Sequence, residues 1–433
     1  MGHDRQAAGP VPARGDPPFP CLARGRRVAG ARQHPDGNRS GGGMTARVLF
    51  VVQHLLGIGH LRRAAILARG LAEAGFDVLL VSGGPPVPAV ELGRARFHQL
   101  PPVRAVDNSV KSLVDASGAE LDDHFRSDRG RRLVALLCAE APDIVMTELY
   151  PFGRTQMRWA FDPLMEAMHS GGARPLVVAS LRDLLGRPSR AARTKEMLGA
   201  FERWFDLALI HGDPTLVSFA RTFPAWPRLA DRAVHTGYVV DRTDWPDRLD
   251  EAPDAEVLVS AGGGAVGAPL LVAALAARPL TRLANRRWRL LAGANLPDAE
   301  LAALRRDAGP GIVIERHRTD FPHLLAGACV SISQAGYNTA IETLCLARRA
   351  VLVPFAEGAQ TEQAARAAAL AERGFVEVAD PASLTPQTLA AAVDRAWAAP
   401  ALSGRAQCDI DGVARTAELL TRHLAAHRAR SDA

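Results

Sequence analysis

From residue 44 onward, short runs of β-branched and aliphatic residues alternate with longer stretches rich in Ala and Leu. This alternation is typical of βα repeats, in which each strand of a parallel sheet is followed by a helix. Strands are predicted at residues 48–52, 77–81, 143–147, 176–179 and 207–210 in the first half, and at 256–259, 289–291, 312–315, 329–332 and 350–353 in the second half.

A polar segment at residues 241–247, followed by Pro253, separates the two sets of strands. We therefore predict an α/β fold with two Rossmann-like, doubly wound parallel-sheet domains of similar size rather than one large sheet. The predicted boundaries are 44–240 for the first domain, 241–254 for the linker, 255–405 for the second domain and 406–433 for a C-terminal helical segment.

Residues 1–43 are rich in Pro, Gly and Arg, lack hydrophobic periodicity and contain no continuous apolar run of a secretory signal. We predict that they are a disordered or mis-annotated extension and that Met44 is the functional start. They carry seven Arg and three Asp, which accounts for +4 of the net charge of +6. The remaining charge of about +2 gives no indication of nucleic acid binding.

The other composition signals exclude several classes of protein. The five cysteines form no CxxC pair, which favours buried free thiols in a reducing cytoplasm. No apolar run approaches the roughly 18 residues of a transmembrane helix. No HExxH, DxD or clustered Cys and His motif is present, so we predict no dedicated metal site.

The most informative segment is residues 331–342, where an apolar strand ends in a turn of small residues and a helix begins. Asn338 or Thr339 is the expected N-cap, and the free N–H groups after Gly336 would bind a phosphate at the positive end of the helix dipole. Glu342 lies one turn further along, where its carboxylate could accept hydrogen bonds from a sugar hydroxyl. A phosphate and a sugar so close together indicate a sugar nucleotide.

Further polar residues follow predicted strands, and ligands bind at the carboxyl ends of strands in open α/β sheets. These candidates predict two facing sides of a cleft. They are Gly57, Gly59, His60, Glu148, Asp183, His211 and Asp213 in the first half, and Gly262, Gly263, Gly264, Glu362 and Gln363 in the second half.

Each candidate also has a structural interpretation. Gly57 and Gly59 could form a tight turn rather than contact a phosphate, since Arg62 stands where the dinucleotide motif has its third glycine. His60 could cap a helix, as could the acids Glu148 and Asp183. Residues 262–264 could form a plain turn, residues 211–213 a local turn, and Glu342 could be a helix-surface carboxylate.

Three segments together resemble the glycosyltransferases of family 28. They are residues 331–374, which include Ser333-Gln334-Ala335-Gly336, Glu342, Val353-Pro354-Phe355 and Thr361-Glu362-Gln363, and the glycine loops at 57–60 and 260–265. The resemblance covers about residues 46–425. It implies a GT-B fold, with the active site between two Rossmann-like domains and a final helix, here residues 411–428, crossing back to the first domain.

The resemblance also implies roles for individual residues. Glu342 would bind the donor ribose, Arg318 would contact the edge of uracil, and Gln363 would contact the transferred sugar. The diphosphate would be held by Gly336, Asn338 and Thr339 and flanked by Gly262, Gly263 and Gly264. The chain departs from the family at Gln334, where the best-known member has a basic residue, and in the first glycine loop, which lacks three glycines.

Two more resemblances keep different functions open. The loop from Gly57 to Arg63 is similar to that of sugar-nucleotide hydrolases, in which the histidine is catalytic and water is the acceptor. The overall pattern, including residues 148–154 and 180–183, looks like the bacterial group labelled predicted glycosyltransferases. A sugar-nucleotide hydrolase or epimerase, and a non-catalytic nucleotide-sugar binding protein, therefore stand beside a transferase, because a fold does not fix function.

The chemistry expected at this site is hexosyl transfer from a nucleotide sugar, taken to be a UDP-sugar, with inversion at the anomeric carbon. Backbone N–H groups would stabilise the leaving diphosphate as a metal would, so no metal or separate cofactor is predicted. His60 is the first choice of general base, since an unperturbed pKa near 6.5 suits proton uptake, with Asp183 or Glu148 second. The acceptor hydroxyl, on a small molecule, glycan or lipid-linked group, is unidentified, and a peripheral membrane contact remains open.

Overall fold

A computed structural model provides the coordinates of the protein. It describes residues 45–88, 90–107, 112–170, 174–186, 191–247, 255–262, 267–293, 296–355, 361–402 and 408–432. The predicted N-terminal extension, Met44 and residues 248–254 of the predicted linker lie outside the described residues, as do Gly263 and Gly264.

The strands belong to two large sheets and one small ribbon. The first large sheet contains β1 (Arg47–Val52), β2 (Asp77–Ser82), β3 (Arg96–Gln99), β6 (Ile144–Glu148), β7 (Leu176–Arg182), β8 (Leu207–His211) and β9 (Ala233–His235), and the ribbon pairs β4 (Arg104–Ala105) with β5 (Leu113–Val114). The second large sheet contains β10 (Val257–Ser260), β11 (Trp288–Leu291), β12 (Ile312–Glu315), β13 (Val330–Ser333), β14 (Ala350–Leu352) and β15 (Glu377–Val378).

Helices connect most of these strands. They are α1 (Gly59–Glu73), α2 (Asp123–Glu140), α3 (Arg158–Ser170), α4 (Ala191–Trp204), α5 (Ala268–Ala277), α6 (Asp298–Asp307), α7 (Phe321–Gly327), α8 (Tyr337–Leu346), α9 (Glu362–Ala371), α10 (Pro386–Ala398) and α11 (Gly412–Ser431). This order of elements confirms the predicted α/β class, with one parallel sheet in each half of the chain.

The strand orders show where a ligand can enter. The first sheet runs β3-β2-β1-β6-β7-β8-β9 and the second runs β12-β11-β10-β13-β14-β15, with every pair of neighbours parallel. The direction of winding reverses between β1 and β6 in the first sheet and between β10 and β13 in the second. Ligands bind in the crevice at such reversals, beyond the carboxyl ends of the strands.

The buried strands show why these short apolar runs form the centre of each domain. In β1, Leu49 and Val51 pack into the apolar cluster on one face of the sheet, whereas Val48, Phe50 and Val52 pack into the cluster on the other face. A strand covered by helices on both faces must be apolar at successive positions, and residues 257–259 of β10 follow the same rule.

The last helix, α11, returns from the second domain and packs on α1 of the first. Leu419, Leu420 and Leu424 of α11 are buried in the same apolar cluster as Val48, Phe50 and Val52 of β1. A Cβ at Gly70 of α1 would clash with Cγ1 of Val413, so glycine permits the close approach. The helix therefore ties the two domains together outside the cleft.

All ten predicted strands are present, with ends that differ by no more than a few residues. The hydrophobic pattern did not predict β3, β4, β5, β9 and β15. These are short strands at sheet edges or in the ribbon, where few residues are buried on both faces, so the pattern carries little signal.

Candidate active site

On the first-domain side of the cleft, His60 and Glu148 are brought together by neighbouring parallel strands. Glu148 is the last residue of β6, and His60 is the second residue of the helix that follows β1. The Nδ1 atom of His60 lies 2.8 Å from Oε1 of Glu148. Within the described residues, the Nε2 atom of His60 has no hydrogen-bond partner, so this side of the ring is left for a ligand.

Glu148 begins a buried chain of polar side chains that crosses the first sheet. Ser180 Oγ donates to Oε2 of Glu148 at 2.8 Å and lies 3.1 Å from Nε2 of His211. The other ring nitrogen of His211 lies 2.8 Å from Oγ1 of Thr236. Arg63 of α1 also pairs with Glu148, so both carboxylate oxygens are occupied.

Burial sets the protonation of this chain. Although burial opposes its ionisation, the charge of Arg63 and the bond from His60 hold the pKa of Glu148 at about 2. Burial lowers the pKa of His60 to about 3, against the raising effect of Glu148, and the charge of Arg154 lowers it further. Burial likewise lowers the pKa of His211 to about 3. The assumption of an unperturbed pKa near 6.5 for His60 was wrong for this arrangement, because the ring is largely withdrawn from water.

On the second-domain side, α8 begins directly after the turn that follows β13. Its N-cap is Gly336, so the expected cap at Asn338 or Thr339 was wrong, and both residues lie in the first helical turn. Gly336 has no side chain to occupy the free N–H groups of that turn, and no atom of the described residues lies within 4 Å of where its Cβ would be. The positive end of α8 is thus open to an anion.

The loop after β10 lies beside this helix start. Gly262 has a φ of +69°, a conformation that glycine adopts without strain, and its Cβ position is 3.7 Å from Oε1 of Gln334. The two loops predicted to hold a diphosphate are therefore neighbours. Gly57 and Gly59 of the first domain likewise have no atom within 4 Å of their Cβ positions in the part of the chain that the structure describes.

Glu342 faces the first domain from the second turn of α8. Its side chain is buried, and its Oε1 accepts a hydrogen bond of 3.1 Å from Nη2 of Arg62 in α1. Burial raises the pKa of Glu342, while Arg62 opposes this shift. Glu342, which is predicted to bind the ribose, is therefore hydrogen-bonded to the helix that carries His60.

Asp183 has a different environment from the one expected of a general base. Its two oxygens accept hydrogen bonds of 2.8 and 2.5 Å from Nε and Nη2 of Arg366, and both side chains are fully buried. Nη1 of Arg366 donates to the carbonyl of Ala335 at 2.8 Å. The structure thus makes Asp183 part of an ion pair between the domains.

Tyr337 makes the second buried contact between the domains. Its hydroxyl donates to the carbonyl of His211 at 2.9 Å and accepts from the N–H of Val239 at 3.0 Å. The guanidinium of Arg63 lies 4.9 Å from the centre of its ring. Sequence reasoning missed Tyr337 and Arg366, and the one signal for the latter was a lone arginine inside the Ala-rich stretch of α9.

The remaining candidates are spread around the cleft. Oε1 of Glu362 accepts a 2.5 Å hydrogen bond from Arg182 across the cleft. Gln363 accepts a 3.0 Å hydrogen bond from the N–H of Phe355. Arg318 pairs with Asp320 at 2.7 Å and with Glu315 at the end of the edge strand β12. His211 and Asp213 are buried, the latter bonding the N–H groups of Thr215 and Asp409. The predicted roles of Glu362, Gln363 and Arg318 stay predictions.

The described residues contain neither a metal-binding group nor a membrane span. In them, no group of three or more His, Cys, Asp or Glu side chains is arranged to hold a metal ion. In the same part of the chain, no helix combines the length and apolar character needed to cross a bilayer.

Comparison with known proteins relates the second half of the chain to a family. Residues 258–409 match the glycosyltransferase family 28 C-terminal domain. Over 228 residues, the chain is 31 % identical to UDP-N-acetylglucosamine--N-acetylmuramyl-(pentapeptide) pyrophosphoryl-undecaprenol N-acetylglucosamine transferase of Paramagnetospirillum magneticum. This match covers 50 % of the chain and 60 % of the relative, so the chain spans about three fifths of the length of that relative.

Solved structures confirm the predicted fold. MurG of Acinetobacter baumannii superposes with a TM-score of 0.54 and 16 % identity, over 87 % of this chain and 99 % of that protein. A single-residue variant of Os79 from O. sativa, in complex with UDP, superposes with a TM-score of 0.57 and 14 % identity, over 88 % of this chain and 100 % of that protein. The chain therefore has the GT-B fold, and its resemblance to family 28 is confirmed.

Proposed function

We propose that this chain, whose second half carries a family 28 glycosyltransferase domain, transfers a hexosyl group from a UDP-sugar to an acceptor hydroxyl. The observation that carries the proposal is the cleft itself. The His60 and Glu148 pair belongs to the first domain, and Arg62, two residues after His60 in α1, meets Glu342 of α8 in the second domain at 3.1 Å.

The donor is assigned to the second domain because its groups suit a permanent anion attached to a sugar. The first turn of α8 and the loop at Gly262 offer backbone N–H groups to a diphosphate. Glu342 offers a carboxylate to the ribose hydroxyls. The UDP bound by the Os79 variant and the UDP-sugar named for the bacterial relative support UDP as the nucleotide.

Proton removal from the acceptor is assigned to His60. Its lowered pKa keeps the ring neutral at neutral pH, and its bond through Nδ1 to Glu148 leaves Nε2 to accept a proton. The ionised Glu148 would then stabilise the imidazolium that forms, which makes Glu148 a positioning residue. Attack from the face opposite the leaving diphosphate gives inversion at the anomeric carbon.

As the diphosphate leaves, negative charge grows on the oxygen that was bonded to the sugar. Fixed N–H groups at the start of α8 are already oriented toward that charge and need no rearrangement during the reaction. The proposal therefore includes neither a metal nor a cofactor besides the nucleotide sugar. A cytoplasmic location and an acceptor that is a small molecule, glycan or lipid-linked group complete it.

A sugar-nucleotide hydrolase is the second candidate. The side chain of His60 is 14 % exposed, an opening that suits an acceptor as small as water. The two candidates share the donor site and the base and differ only in what occupies the acceptor side.

The deciding experiment is incubation of the full chain with UDP-sugars, with and without a panel of hydroxyl acceptors, following UDP release. A transferase should release UDP slowly alone and much faster with its acceptor. Rapid release of free sugar without acceptor indicates the hydrolase, and interconversion of the sugars an epimerase. Tight UDP binding without turnover under any condition indicates a binding protein, and calorimetry that detects no UDP binding refutes the donor assignment.

A further inference from the structure

Arg154 is a cation of the first-domain side that the proposed chemistry does not use. It lies in the loop after β6, six residues beyond Glu148, and its Nε donates to the carbonyl of Gln53 at 2.7 Å. Among the described residues, no carboxylate oxygen lies within 4 Å of its guanidinium, and Nη1 and Nη2 make no hydrogen bond. Two donor groups of a half-buried cation are thus left without protein partners in this part of the chain.

Arg129 shows what a purely structural buried arginine looks like in the same domain. Its guanidinium donates to the carbonyls of Pro101 and Gly83 and to Oε1 of Gln53, at 2.5 to 3.2 Å. Four further cleft arginines each have a carboxylate partner, namely Arg62, Arg63, Arg182 and Arg366. Arg154 alone among these six described arginines has neither a carboxylate partner nor more than one hydrogen bond to a carbonyl.

Its surroundings place Arg154 beside the reacting groups. The charge of Arg154 contributes to lowering the pKa of His60, and Glu148, Arg182 and Glu362 all interact with Arg154 electrostatically. Glu362 belongs to the second domain, so Arg154 lies near the cleft between the two domains. Its backbone, with a φ of +60°, is in a left-handed conformation that costs about 1–3 kcal/mol for residues other than glycine.

We propose that Arg154 binds an anionic group of the acceptor, a carboxylate or a phosphate, beside His60. This inference rests on the proposed function and adds the chemical class of its second substrate. A guanidinium with two free N–H edges matches the paired oxygens of either anion. A bound anion would also offset the charge that opposes protonation of His60, and so favour the proton transfer.

The test uses two small probes, inorganic phosphate and acetate, titrated by calorimetry into the full chain saturated with UDP. Saturation with UDP fills the donor diphosphate site, so an added anion can bind only elsewhere. We expect one of the two probes to bind, phosphate indicating a phosphorylated acceptor and acetate a carboxylated one. Arg154→Ala should weaken that probe about ten- to hundredfold, the loss for a hydrogen bond to a charged group, with unchanged UDP affinity.

Arg158→Ala is the matched control, because Arg158 begins α3 only four residues later and pairs with Asp162 at the surface. It should bind both anion and UDP like the wild type. Arg154→Lys keeps the charge and should recover part of the anion affinity. The melting temperatures of Arg154→Ala and Arg154→Lys are compared, so that a loss of anion binding is not confused with a loss of stability.

Three results would overturn the inference. They are the absence of anion binding to the UDP-saturated chain, equal anion affinity in the Arg154 and Arg158 variants, and loss of UDP binding in Arg154→Lys, which would assign Arg154 to the donor. Failure of the wild type to bind UDP before the anions are added would instead refute the proposed function. The two failures are therefore distinguishable.

Discussion

The two sides of the cleft present different kinds of chemical group. The first-domain side carries a continuous chain of buried ionisable and polar side chains, His60, Glu148, Ser180 and His211. Among the described residues, only Nε2 of His60 in this chain has no hydrogen-bond partner. The second-domain side offers a helix start, glycines and one buried acid, Glu342.

This difference is consistent with the task proposed for each side. A diphosphate carries its charge before, during and after the reaction, so fixed backbone dipoles suffice to hold it. A group that exchanges a proton must change its own charge, and its protonation has to be set by burial and neighbours. The comparison supports the proposal that proton transfer belongs to the first domain and donor binding to the second.

The sharpest way to break this comparison is His60→Ala. If proton transfer belongs to the first domain, turnover should fall about 10²–10⁴-fold, the usual contribution of general acid–base catalysis, while UDP affinity stays unchanged. His98→Ala, on the exposed edge strand β3, is the control and should behave like the wild type. A variant that loses UDP binding but keeps its turnover at saturating donor would make His60 a phosphate ligand.

The link between the two sides is tested by Arg366→Ala. Removing Arg366 leaves Asp183 buried without its partner, which should lower the free energy of unfolding by about 3–5 kcal/mol. Urea unfolding followed by circular dichroism measures it. Arg221→Ala removes an exposed ion pair with Glu372 across the same two domains and should change stability little. Equal effects in the two variants would show that the buried pair does not hold the domains together.

Glu342→Ala tests the donor side directly. Loss of the predicted hydrogen bonds to ribose should weaken UDP binding by about 1–3 kcal/mol in calorimetry. Arg62→Ala separates this role from the contact between Arg62 and Glu342, since it breaks the same ion pair and leaves the carboxylate in place. Similar losses in both variants would mean that Glu342 acts through the domain contact rather than on the nucleotide.

The last comparison concerns the pH dependence of stability. The pKa values of His60 and His211, lowered to about 3, lie below the value near 6.5 expected on unfolding, so the unfolded state binds more protons between these limits. Stability should therefore fall as pH drops below 6.5, by about 1 kcal/mol per histidine over the first pH unit, and not change through these groups above it.

Thermal melting between about pH 7.5 and 5.0 measures this slope, since the contribution of Glu148, whose pKa is lowered from 4.5 to about 2, is lost only at lower pH. His211→Asn should have a shallower slope than the wild type, and His98→Ala the same slope. An unchanged slope in His211→Asn would show that folding does not lower the pKa of this ring.

Much of the architecture could be predicted from local patterns. Strands such as β1 and β10 are apolar at successive positions because helices cover both faces of each sheet, and that pattern needs no knowledge of the partner. The meeting of His60 with Glu148 also followed from position, since both lie at carboxyl ends of strands that proved to be neighbours. Short edge strands such as β3 were not predicted, because their residues are largely exposed and show no hydrophobic pattern.

By itself the sequence determined the βα repeat, the two sets of strands and the glycine and polar residues at their carboxyl ends, because hydrophobic spacing and turn chemistry are local properties. Only the tertiary structure decided which polar residues pair. It bound Asp183 to Arg366, withdrew His60 from water and left Arg154 without a carboxylate among the described residues, although all three arise from similar loops. Partner choice and pKa depend on burial and on charges distant along the chain, and these exist only once the domains have packed together.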